Sequence, residues 1–74
     1  MSSKYPVLPP VKIINALSKL GFEKVSQKVS HVKCKNKITQ RIYIIPLHSE
    51  IAKGTLKSIL EQADIELEIF LNLL

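Results

Sequence analysis

Gly21 separates two incompatible hydrophobic rhythms, and that change of rhythm limits the fold more than any other feature of the chain. Before it, Ile13, Ile14, Ala16, Leu17 and Leu20 recur at helical spacing, with Lys12, Asn15 and Lys19 on the other side. Pro9-Pro10 opens this helix, because proline lacks the N–H that a first turn leaves unpaired anyway. A glycine just past the last turn ends it, being free to take positive φ. From Phe22 to Ile45 the rhythm drops to a period of two, the signature of strands.

Three strands are expected there. "FEKVSQ" is the first, "SHVKCK" the second, "KNK" at 35–37 a turn, and "ITQRIYII" the third, which Pro46 stops. A loop, "LHSEIAKG", leads into a second helix, "TLKSILEQAD", with Leu56, Ile59, Leu60 and Ala63 as its apolar members. A short terminal helix comes last, carrying Leu67, Phe70, Leu71 and Leu74. The order is α-β-β-β-α plus a small helix, an α+β class with a three-stranded antiparallel meander. Apolar stripes on both main helices need a surface, and one face of the sheet supplies it. Alternation predicts Val32, Cys34, Ile42 and Ile44 on that covered face. His31, Lys33, Lys35, Arg41 and Tyr43 are expected on the opposite, open face.

Seventy-four residues make one small domain, read as 1–74 with residues 1–8 a flexible arm. The longest apolar runs are too short to cross a bilayer, and the N-terminal stretch lacks a signal-peptide pattern. A single cysteine, Cys34, cannot form an internal disulfide. A cytoplasmic, membrane-free protein is the expectation. Charge is unevenly spread: from Lys4 to Arg41 there are nine basic residues and one acid, Glu23. From Ile42 to the end there are two lysines and five acids. That asymmetry suits a basic face for a polyanion, with an acidic region elsewhere. With no Trp and few other aromatics, an aromatic stacking platform for bases has little material.

The candidate chemistry narrows by geometry. His31 and Cys34 stand three apart in a strand, so their side chains leave opposite faces and cannot share a metal or form a nucleophile–base pair. His48 has no second ligand at suitable spacing, so neither a metal nor another cofactor is expected. Glu61, Asp64, Glu66 and Glu68 read as a solvated helix surface. What remains is His31 among cations. An imidazole can take or give a proton near neutral pH, and lysines can hold phosphates. RNA carries its own nucleophile, the 2′-OH, so one base with charge stabilisation could cleave it. On these grounds alone an exposed strand histidine is more often a bystander than a catalyst.

The run "QKVSHVKCK" and the downstream "IPLHSEIAKGTLKSILEQADIELEIFLNLL" carry a resemblance. Gly21-Phe22, Gln27-Lys28, Ser30-His31, Pro46-Leu47-His48 and Lys53-Gly54-Thr55-Leu56-Lys57-Ser58-Ile59-Leu60 succeed one another in the order found in the HicA (YcfA-like) mRNA interferase toxins. The chain resembles that family over roughly residues 9 to 74. The resemblance implies a double-stranded-RNA-binding-domain-like fold and a metal-independent mRNA endoribonuclease, with His31 as its catalytic residue. It also implies a HicB-type antitoxin that covers the site, and the basic surroundings of His31 make Lys28, Ser30, Lys33, Lys35 and Arg41 the expected RNA contacts. Operator DNA would be met only through the toxin–antitoxin complex. His48 fits a family position as a structural or secondary contact. Two positions depart from the pattern: Val29 stands where the family has glycine before Ser-His, and Ser49-Glu50 replaces a Gly pair after Pro-x-His. A β-branched residue at 29 should close its turn differently if that glycine takes positive φ. The alternatives are a catalytically weak or inactive RNA-binding module and a protein-interaction domain whose basic face docks an acidic partner.

Overall fold

The computed structural model describes residues 5–47 and 49–74. Its elements run α1 (Pro10–Ser18), β1 (Phe22–Lys28), β2 (His31–Asn36), β3 (Ile42–Pro46), α2 (Lys53–Ala63) and α3 (Leu67–Asn72). The three strands form one antiparallel sheet with β2 in the centre. The helices pack on one side of it, as the double-stranded-RNA-binding-domain-like α+β class requires.

Both main helices bury apolar residues at the spacing that the sequence predicts. From α1 these are Ile13, Ala16 and Leu17; from α2, Leu56, Ile59, Leu60 and Ala63. Burying a side chain of this kind contributes roughly 1.5–3 kcal/mol. Helix α3 has six residues, too few to be stable alone. Phe70, fully buried, anchors it, while Leu71 and Leu74 remain exposed, so the expected terminal strip packs only in part. The Lys19 Nζ donates to the Leu73 carbonyl at 2.7 Å, tying the end of α1 to that of α3. Residues 1–4 of the expected arm lie outside the described part. Tyr5 and Leu8 pack against the core, and Leu8 bridges to Ile51.

The third strand corrects the expected faces. Tyr43 and Ile45 are fully buried, whereas Ile42 and Ile44 are 38% and 46% exposed. The cause is register. Cys34 pairs with Tyr43 and Val32 with Ile45, and residues directly opposite each other share a face. The stretch from Ile42 to Ile45 is apolar at every position, so its alternation cannot choose a face; the hairpin before it does. Strand β2 runs through Asn36, and β3 starts at Ile42. The intervening turn is built on the buried Asn36 side chain: Oδ1 accepts from Ile38 N at 2.7 Å and Thr39 N at 3.0 Å, and Nδ2 donates to the Leu20 carbonyl. Gly21, at φ +104°, brings the chain past that side chain, and a Cβ there would meet Oδ1 at 3.4 Å. Tyr43 fills the space under the sheet, its ring edge-on to Phe22 at 5.2 Å.

Candidate active site

The open face is set out in rows across the three strands. Lys28, His31 and Pro46 form one row, Ser26, Lys33 and Ile44 the next, and Glu23, Lys35 and Ile42 the third. Strict alternation from the buried Phe22 would send Lys28 to the helix-covered side. A bulge between Lys24 and Ser26 adds Val25 as an unpaired residue and inverts the parity of the residues beyond it. Lys28 therefore arrives directly opposite His31.

A two-residue turn, Val29-Ser30, joins Lys28 to His31. Val29 is fully exposed. Among the described residues the non-glycine positions with positive φ are Gln40 and Asp64, so the turn closes without a left-handed residue at 29. The valine departure is thus accommodated without backbone strain. The turn is pinned from β3 by Leu47 N donating to the Ser30 carbonyl at 2.8 Å. The Ser30 Oγ lies 3.0 Å from His31 Nδ1, within hydrogen-bonding distance. If that nitrogen carries the proton and donates to Oγ, Nε2 keeps a free lone pair.

His31, Lys28 and Lys33 line an open recess of about 660 Å³ together with Val25, Ser26 and Ile44. Glu23, the acid of this half, pairs with Lys37 at 2.8 Å. Among the described residues, Lys28, Lys33 and Lys35 have no carboxylate partner. The expected site residues therefore divide. Lys28, Ser30, His31 and Lys33 stand together, and Lys35 continues the same face one row away. Arg41 does not join them: its carbonyl pairs with Asn36 N at the far end of the hairpin. Asn36 lies five residue steps along β2 from His31, about 16 Å at the ordinary rise. Tyr43, expected on this face, is in the core, and His48 lies outside the described residues. Sequence reasoning missed Val25, Ser26 and Ile44, because a bulge leaves no compositional trace and Ile44 had a plausible place in the core.

Cys34 is buried on the other face, and burial pushes its thiol above the ordinary range. That environment suits a small core hydrophobe. Among the described residues no three His, Cys, Asp or Glu side chains gather as metal ligands.

The family model for the HicA toxin of bacterial toxin-antitoxin matches residues 12–65, from the first turn of α1 to just past α2. The chain belongs to the HicA toxin family. The matched span contains the whole sheet, the Val29-Ser30 turn with His31, α2 and all but the first two residues of α1, and it leaves out α3. A comparison with curated proteins returns no match. No helix among the described residues is long and apolar enough to cross a membrane. As a HicA-family toxin, the chain is a component of a bacterial toxin–antitoxin system.

Proposed function

We propose that this HicA-family chain is an mRNA endoribonuclease that uses His31 as its proton-transfer group and no metal. The observation that carries the reading is the placement of His31: exposed, beside Ser30 Oγ at 3.0 Å, and across the ladder from Lys28. In this mechanism Nε2 takes the proton of a ribose 2′-OH as its oxygen attacks the adjoining phosphorus. The bond to the 5′-oxygen breaks, that oxygen takes a proton from solvent, and a 2′,3′-cyclic phosphate remains. Lys28 and Lys33 oppose the negative charge that grows on the phosphoryl oxygens, where fixed cations lower a barrier most. Ser30 holds the imidazole rather than the RNA. Lys35 extends the basic track, and Arg41 contacts a phosphate beyond it.

The family relation supports a HicB-type antitoxin as the protein partner, a cytoplasmic site of action, and operator DNA met only through the complex. The whole chain, 1–74, acts as one domain. The deciding experiment incubates purified protein with RNA in EDTA, wild type against His31→Ala. Cleavage by the wild type and none by the variant, at unchanged fold and nearly unchanged RNA affinity, supports the reading; cleavage that persists in the variant overturns it. Salt-sensitive RNA binding by both proteins without turnover would instead favour a non-catalytic RNA-binding module.

A further inference from the structure

The recess beside His31 has a mixed lining that phosphate binding alone does not explain. Val25 is 52% exposed and Ile44 46% exposed, on a face where the neighbouring side chains are Lys28, Lys33 and His31. Both apolar residues border the recess, Val25 raised onto it by the bulge and Ile44 in the row of Lys33. The helices pack on the opposite side of the sheet; Gln62 of α2 reaches round the edge of β3, its Oε1 accepting from Ile44 N at 3.2 Å, yet the Val25 and Ile44 side chains stay exposed. A polyanion that presents only phosphates would leave both apolar walls in water. A ligand that fits has a flat, weakly polar body covalently tied to a phosphate, and an unpaired nucleotide is such a ligand.

We propose that Val25 and Ile44 form a subsite for an unpaired nucleobase of RNA, next to the phosphate that Lys28 and Lys33 hold at His31. This rests on the ribonuclease reading above and adds the form of the substrate. A base in a duplex has both faces covered by its neighbours in the stack, so a double helix offers these walls no apolar partner. The chain therefore selects single-stranded RNA, although its fold class is one associated with duplex RNA. The contact is aliphatic and carries no hydrogen-bond pattern, so it favours large bases over small ones without reading a sequence.

The test measures binding of the full chain by fluorescence anisotropy to three probes of one length. These are a single-stranded oligoribonucleotide, its duplex, and a strand with abasic sites at the central positions. Wild type should bind the single strand more tightly than either other probe. Ile44→Thr keeps a β-branched residue on an exposed position and removes apolar surface; it should lose about fivefold for the single strand and nothing for the abasic strand. Val25→Thr, on the opposite wall, should do the same, and provides the measurement should Ile44→Thr fail to fold. Equal affinity for single-stranded and abasic probes, tighter binding of the duplex, or indifference to both substitutions overturns the subsite while leaving the nuclease reading intact. Base-dependent binding lost in both variants, but with no cleavage by wild type, upholds the subsite and overturns the nuclease. No RNA binding by wild type overturns both.

Discussion

Lys28 stands directly across the β1–β2 ladder from His31, and it does so because Val25 is an extra residue in β1. One residue of bulge converts a lysine that alternation assigns to the core side into a neighbour of the candidate catalyst. The lysine's ammonium and the imidazole then share the open face with Lys33, which occupies the next row. The proposed chemistry depends on this pairing, and it is the first relationship to test.

Lys28→Ala should weaken RNA binding at low salt and reduce the slope of log affinity against log salt by about 0.7, the loss of one phosphate contact to a single strand. Arg41→Ala, at the far end of the hairpin, should reduce the slope similarly but leave single-turnover cleavage unchanged. Titrations of both variants over a range of KCl concentrations, with single-turnover rates at saturation, check this. A cleavage defect equal in the two variants would contradict the separation of Arg41 from His31.

Ser30→Ala removes the group 3.0 Å from His31 Nδ1. Cleavage should fall about tenfold in kcat with little change in KM, the mark of a lost orientation rather than a lost substrate contact. Imidazole ¹⁵N spectra of the free protein should show the Nδ1–H tautomer in wild type and its depletion in the variant. Ser30→Thr, which retains a hydroxyl, should restore both.

Val29→Gly restores the residue usual in the family. The turn already closes with ordinary φ at 29, so the glycine gains no native conformation and adds freedom to the unfolded chain. Stability should fall by about 0.5–1 kcal/mol in urea titration, with cleavage unchanged. A large gain in cleavage would show that valine mis-aims the imidazole.

Asn36→Ala should be among the most damaging single changes outside the apolar core. The buried amide makes three hydrogen bonds that join the hairpin turn to the end of α1. Its loss leaves two backbone N–H groups and one carbonyl without their partners, at a cost of about 2–4 kcal/mol. Thermal melting monitored by circular dichroism reads the change.

Tyr43 is buried with its hydroxyl unpartnered among the described residues; the Cys34 thiol, its cross-strand neighbour, perturbs it without reaching hydrogen-bond geometry. Tyr43→Phe removes that orphan and should raise stability by about 1 kcal/mol. Burial holds the thiol and the phenol above their ordinary values of 9.0 and 10.0, with the Cys34 thiol adding to the shift of the phenol. Above those values the unfolded chain releases protons that the folded chain keeps, so this contribution to stability is complete below pH 9 and is lost as pH rises beyond it. The urea midpoint should drop between pH 8 and pH 11, and Tyr43→Phe should flatten the part of the fall above pH 10.

Much of the architecture was legible in local pattern. The helical stripes of α1 and α2, the glycine after α1, the stop at Pro46 and the meander between them all stand in the sequence as changes of period and punctuation. The helix stripes could be read because each is a mixture of apolar and polar positions, and burial sorts such a mixture in one way only. The prominence of His31 and the exclusion of Cys34 from its chemistry also came from alternation within β2, where every second residue is charged or imidazole.

Tertiary structure decided what a two-residue period could not. From Ile42 to Ile45 both faces are apolar, so only the pairing imposed by the Asn36 turn sent Tyr43 inward and left Ile44 beside His31. In β1 the residues after the bulge reversed face, a shift that depends on which carbonyls and amides of β2 they meet. Sequence alone thus determined the elements, their order and the open-face position of His31. Register, which arises from hydrogen bonds between distant segments, determined which lysines and which apolar side chains surround it.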